Sequence, residues 1–103
     1  MKKEISKEDV FCWKVNPREI ILKKVGEEAV LIDREKGEVV YFNEVGTSIW
    51  SLIDGKKKTA EIIEGIINEF EVEKDTAQTD IFLFLSELLN KGLIKNALNK
   101  PFS

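Results

Sequence analysis

The chain has 103 residues, the size of one compact domain with little room for a second core. An apolar share of 43% and a charged share of 34% describe a globular chain rather than a disordered one. With 16 basic and 19 acidic side chains the net charge is -3, opposite to the clustered basic surface of a nucleic-acid binder. Histidine is absent and Cys12 is the only cysteine, which excludes a Cys/His zinc site within one chain, Ser-His-Asp catalysis and Cys-His catalysis. A single thiol cannot close an internal disulfide and fits a reducing compartment. The longest apolar run, Ile81 to Leu85, is far short of the roughly 20 residues of a membrane span. The opening MKKEISKEDV has no apolar stretch behind its basic residues and so does not read as a secretion signal. These features predict a cytoplasmic protein.

In chain order, Met1 to about Val15 is charge-rich and ends in alternating Phe11, Trp13 and Val15, a loose arm closing on a short extended piece. Pro17 then biases Asn16 to extended or turn geometry. From Glu19 the period is two, with Ile20 and Leu22 alternating with Ile21 and Lys23, and Gly26-Glu27 marks a turn. The run Ala29-Val30-Leu31-Ile32 is followed by the polar loop Asp33 to Gly37, and then by Glu38-Val39-Val40-Tyr41-Phe42, β-branched or aromatic after its first residue. Three short strands with tight polar turns predict an antiparallel meander.

At Asn43 the period becomes helical. Asn43 is a good N-cap, Val45, Ile49, Leu52 and Ile53 recur at three and four, and Gly55 ends the helix. After the solvated run Lys56-Lys57-Lys58, Thr59 is predicted to cap a second helix with a buried stripe of Ala60, Ile62, Ile63, Ile66, Ile67 and Phe70. Glu71, Glu73 and Asp75 open a longer third helix that runs to about Lys91 and stops at Gly92. Leu93-Ile94 reads as a final extended stub, and Asn96 to Ser103 as a frayed tail. Strands followed by helices predict an α+β fold, a three-stranded antiparallel sheet followed by a three-helix bundle, in a winged-helix-like arrangement.

At 100° per residue, the apolar arc of the third helix is about 160° wide, broader than a surface helix needs. Ile81, Leu85 and Leu88 lie at its centre, Phe82 and Leu89 on one flank, and Ala77 and Phe84 on the other. Leu83 points away and reads as an isolated exposed residue. Such a helix is either wedged centrally or leaves one flank open as an apolar groove beside the sheet. The meander also has two edges. The first strand carries Lys23 and Lys24 as edge guards, whereas Val39 to Phe42 contains no charge. That edge is either covered, with Phe11 to Val15 as the covering piece, or used to dock a partner strand.

No catalytic constellation emerges. Asp33, Glu35 and Glu38 fall in a turn, Glu71, Glu73 and Asp75 at a helix start, and no glycine forms a phosphate-cradling loop. Asp80 reads as a backbone hydrogen-bonding residue, Cys12 as an inert thiol, and Trp50 as core.

Several of these segments together resemble one family. Val40-Tyr41-Phe42-Asn43 followed by Ile49-Trp50-Ser51-Leu52-Ile53-Asp54-Gly55, then Thr59-Ala60-Glu61-Ile62, Asp80-Ile81, Phe84-Leu85, Leu88 and Gly92-Leu93-Ile94, is similar in order and spacing to the PqqD-like family (coenzyme PQQ synthesis protein D), the RiPP recognition elements. The resemblance covers Pro17 to Lys95. It implies a non-catalytic domain that binds the leader of a ribosomally made precursor peptide and presents it to a modifying enzyme, often a radical SAM protein, as in pyrroloquinoline quinone biosynthesis. It further implies that the leader adds as a strand on the third strand, against the third helix, with no cofactor or metal of the domain's own. Carried onto this chain, the rail is Val39, Val40, Tyr41 and Phe42. The helical wheel adds Phe82, Leu85 and Leu89 as groove walls. The implied organisation is an arm over residues 1–16, the recognition domain over 17–95 and a tail over 96–103. The exposed edge also permits homodimerisation by pairing or swapping. Two other classes compete: a winged-helix DNA-binding regulator, favoured only by the Lys56 to Lys58 run, and a small enzyme or metal carrier, which the missing histidines oppose.

Overall fold

A computed structural model describes residues 12–17 and 19–97. The elements run β1 (Trp13–Val15), β2 (Ile20–Val25), β3 (Glu28–Asp33), β4 (Glu38–Phe42), α1 (Glu44–Ser51), α2 (Thr59–Phe70), α3 (Lys74–Asn90) and β5 (Ile94–Asn96). The expected meander is present as an antiparallel sheet of order β2-β3-β4, so β2 and β4 are its two edges. Its turns are chemically specified. Gly26 alone takes positive φ in the two-residue β2–β3 turn, the pattern of a II′ hairpin. In the next turn the buried Asp33 carboxylate accepts the backbone N–H groups of Glu35 and Lys36 at 3.1 and 3.4 Å.

Period-two alternation decides the faces of this sheet. Ala29, Leu31 and Phe42 are buried, while Ile21, Val39 and Tyr41 on the opposite face are exposed. The inner face packs on α1, and one continuous core joins Leu31, Phe42, Ile49, Ile62, Ile66, Ile81, Leu85 and Leu88. Burying a leucine of this kind is worth about 1.5–3 kcal/mol, so the helices are held by their stripes rather than by propensity.

The N-terminal piece does not cover the open edge of β4. β1 pairs antiparallel with β5, Val15 opposite Ile94 and Trp13 opposite Asn96, forming a second, two-stranded sheet. This correction has a physical reason. Trp13 is driven into the core, its indole N–H donates to the Thr59 hydroxyl at 2.8 Å, and its carbonyl accepts from Gly55 N at 2.7 Å. Asn16 fastens the far end, its side-chain amide donating to the Gly92 carbonyl at 2.7 Å. Phe11, the first residue of the expected piece, and the chain before it lie outside the described residues.

The helix ends follow local chemistry, with three departures. Asn43 caps α1 as expected, its side-chain oxygen accepting Gly46 N–H at 2.8 Å. α1 stops at Ser51 rather than near Gly55, because the chain tightens through Leu52 and Ile53 to bring Gly55 to β1. Thr59 is the first residue of α2, not its cap. The cap is Lys58, whose N–H donates to Glu61 at 2.8 Å, since the Thr59 hydroxyl is engaged by Trp13. Glu71 ends α2 in the left-handed region with φ 54°, so α3 opens at Lys74 behind Glu73. Among the described residues no helix is long and apolar enough to cross a membrane.

Asp54 organises the α1–α2 turn. Its carboxylate accepts from Lys57 Nζ at 2.8 Å and from the backbone N–H groups of Lys56 and Lys57 at 2.9 and 3.0 Å. The Lys57 ammonium first, then the Lys56 amide, hold its pKa well below the ordinary 3.8. A depressed folded value contributes stability above the unfolded pKa and loses it as pH falls. The stability difference between wild type and Asp54→Asn is therefore expected to be constant from about pH 5 to 8 and to shrink below about pH 4. Urea titrations of both proteins across that range measure it, and a difference growing towards acid would refute the assignment.

Candidate functional site

The register fixes which backbone groups of β4 are free. Arg34 N–H donates to the Glu19 carbonyl at 2.9 Å, one step beyond the Ile20–Asp33 pair. Hydrogen-bonded pairs alternate along an antiparallel ladder, so Glu28, Val30 and Ile32 turn their backbone to β2, and Ala29, Leu31 and Asp33 turn theirs to β4. Through the pairs Asp33–Glu38, Leu31–Val40 and Ala29–Phe42, residues 38, 40 and 42 bond back to β3. Val39 and Tyr41 are left presenting N–H and C=O groups outward along the edge. Their side chains are 49% and 79% exposed, and no described strand pairs there.

α3 runs beside this edge in the opposite sense. The Phe84 ring meets Phe42 edge-on with centroids 5.4 Å apart, near the end of β4. Lys36 Nζ donates to the Lys91 carbonyl at 2.9 Å, beside the turn that opens β4. From Phe84 to Lys91 the helix rises about 10 Å, the length of a three-residue strand. Between them lies a cleft of about 480 Å³, floored by Val40, Phe42, Phe84 and Leu88 and rimmed by Glu28, Glu87 and Lys91. The floor is apolar, the rim carries both signs of charge, and the open side is a row of unpaired strand backbone.

Of the four rail residues, Val39 and Tyr41 are exposed with their backbone on the edge, and Val40, Tyr41 and Phe42 line the cleft, Phe42 from the core at its floor. None of the three helical residues, Phe82, Leu85 and Leu89, lines this cleft. Phe82 lies on the opposite flank of α3, with Thr59, Ala60 and Ile63 of α2. Leu85 is wholly buried beneath the helix, and Leu89 packs half-buried against the core without lining the cleft. The wheel has two symmetric flanks, and tertiary packing turns the Phe84 flank to β4. The walls that sequence reasoning missed are therefore Phe84, Glu87, Leu88 and Lys91. One structural feature accounts for the position of Phe84 among them. Gly46 sits inside the first turn of α1, where no positive φ requires glycine, and a Cβ there would meet Phe84 Cε1 at 3.3 Å.

The fold and this cleft define a class: a small α+β domain with one sheet edge left open beside an apolar helix. The family model of coenzyme PQQ synthesis protein D (PqqD) matches residues 28–94, and the chain belongs to that family. Among solved structures, TbiB1 in complex with the TbiA(beta) leader peptide is similar at 30% identity and a TM-score of 0.70, over 80% of this chain and 94% of that one. Lasso peptide synthetase B1 complexed with the leader peptide has the same fold at 24% identity and a TM-score of 0.69, over 82% of this chain and 98% of that one. No curated protein sequence matches significantly.

Proposed function

We propose that this chain is a non-catalytic recognition domain that binds the leader of a ribosomally synthesised precursor peptide by strand addition to β4 and presents it to a modifying enzyme. The observation that carries the reading is the uncharged edge, with the outward backbone of Val39 and Tyr41 beside the α3 cleft. Backbone hydrogen bonds supply affinity that tolerates sequence, and alternate side chains entering the cleft supply selectivity. A leader disordered when free is ordered on binding, which keeps the affinity moderate and release easy. TbiB1, similar at 30% identity, holds a leader peptide, and this supports the same role here. The enzyme is a radical SAM protein or another peptide-modifying enzyme, and the cytoplasm is where such a pair would work. The cleft walls are Val40, Phe42, Phe84 and Leu88, with Val39 and Tyr41 as the hydrogen-bonding rail. DNA binding is not favoured, since the exposed positions of α3 include Asp75, Asp80 and Glu87, which repel phosphates.

Titrating the ¹⁵N-labelled protein with the leader peptide encoded beside its gene tests the reading. Shifts are expected to concentrate on Val39 to Phe42 and on Phe84 to Lys91, saturating at micromolar concentration or tighter. Shifts confined elsewhere, or none with any neighbouring precursor, would overturn it.

A further inference from the structure

Phe84 separates two clefts, and only the first runs along β4. The second, about 410 Å³, lies between the start of α1 and α3 and is lined by Asn43, Val45, Gly46, Ile49, Asp80, Leu83, Phe84 and Glu87. The two share Asn43, Phe84 and Glu87, so a chain lying along β4 and continuing past Phe42 passes over the Phe84 ring directly into the second cleft. Resting on the reading of β4 as a peptide rail, we infer that this second cleft takes the flank of the same bound peptide and selects there for Lys or Arg. Antiparallel addition, the more stable pairing, makes this the N-terminal flank.

Shape and charge both argue for a long cationic side chain. The wall is apolar through Val45, Ile49, Leu83 and Phe84, and the rim holds the exposed carboxylates of Asp80 and Glu87 with no cation among the lining residues. Lys and Arg lay an aliphatic stem on such a wall and keep the charged head at the rim. Leu83 is 66% exposed, an unfavourable place for leucine on a free helix face, and it forms part of this wall. The partial positive charge at the start of α1 would oppose a cation, but the Asn43 side chain occupies Gly46 N–H and Glu44 sits in the first turn. Lys74, the lysine within α3, stands about 9 Å along the axis from Asp80, and Lys91 follows Glu87 by about one turn at the other end of the first cleft; neither lines the second cleft.

Selection of a random-peptide phage library on the intact protein, and in parallel on an Asp80→Asn/Glu87→Gln variant, tests this. Both carboxylates are exposed, so the variant is expected to keep the wild-type circular dichroism spectrum and melting temperature. Asp80→Asn alone, whose carboxylate lines the second cleft and not the first, separates this cleft from the β4 cleft that Glu87 also rims, and should by itself lose part of the enrichment. Wild type should enrich peptides with Lys or Arg N-terminal to an alternating apolar core, and the variant should lose that enrichment. A selected peptide should bind the variant about three- to tenfold more weakly at physiological ionic strength, with the ratio falling towards one near 0.5 M salt. Apolar-core peptides without a charge preference, or a preference retained on the variant, would overturn the inference and leave the β4 rail standing. Failure to enrich any peptide would remove both.

Discussion

Replacing Trp13 by alanine is expected to cost about 3–5 kcal/mol of stability. That is a large part of the roughly 5–15 kcal/mol that holds a domain of this size, so the variant should be partly unfolded at 37 °C. The indole is 1% exposed and belongs to the same core as Leu31, Ile62 and Leu85. Its removal leaves a cavity and takes from the Thr59 hydroxyl a donor 2.8 Å away. It also loosens the strand that holds Gly55 and pairs with β5, so the loss spreads to both ends of the chain. Trp13→Phe, which keeps an aromatic ring but not the N–H, should lose only about 1–2 kcal/mol. Urea denaturation of the three proteins measures this directly. A Trp13→Ala loss below 1 kcal/mol would mean that β1 is an appendage rather than a wall of the core.

The importance of Trp13 was not legible in the sequence, and the reason is separation along the chain. Period two announces β2, β3 and β4, and the turn chemistry at Gly26 and Asp33 joins neighbours a few residues apart. The helical stripes from Val45 to Ile53 and from Ile62 to Phe70 are equally local. Trp13 and Ile94 each read as the end of an extended stub. Nothing local says that two stubs about 80 residues apart pair with each other. A tryptophan alternating with Phe11 and Val15 at the end of a charged arm was the available hint, because so large an apolar surface is seldom left in water.

The candidate site divides the same way. The absence of charge from Val39 to Phe42 marks an edge that is either covered or used, and this is a property of the strand alone. Which flank of α3 faces that edge is not. Phe82 and Phe84 are near-mirror positions on the wheel. The choice between them is made by what α1 leaves open, namely the missing side chain at Gly46 that lets the Phe84 ring lie against the first turn. Gly46 and Gly65 are both helical glycines without positive φ, and only the fold shows that the first packs on Phe84 at this site and the second on Leu52.

Tyr41→Pro is expected to weaken leader binding by about 30- to 100-fold, or about 2–3 kcal/mol, while leaving a folded protein. Tyr41 N–H faces the open edge and makes no bond to β3, so proline removes nothing the sheet uses. Proline is tolerated at such edge positions, and Val40 before it already has the extended backbone that a following proline requires. An incoming strand fares differently. It loses the donor at Tyr41 and meets the pyrrolidine ring where its carbonyl would sit, which breaks the contact at Val39 as well. Tyr41→Thr separates backbone from side chain: it keeps the N–H and the strand propensity and should bind within a few-fold of wild type. Val40→Pro is the opposite control, since Val40 N–H bonds back to β3 and its loss should unfold the sheet edge. Fluorescence anisotropy with a labelled leader, beside thermal melts of each variant, distinguishes these outcomes. If Tyr41→Pro melts close to wild type and still binds with wild-type affinity, the peptide does not add to β4, and its site must be sought on another surface of the fold.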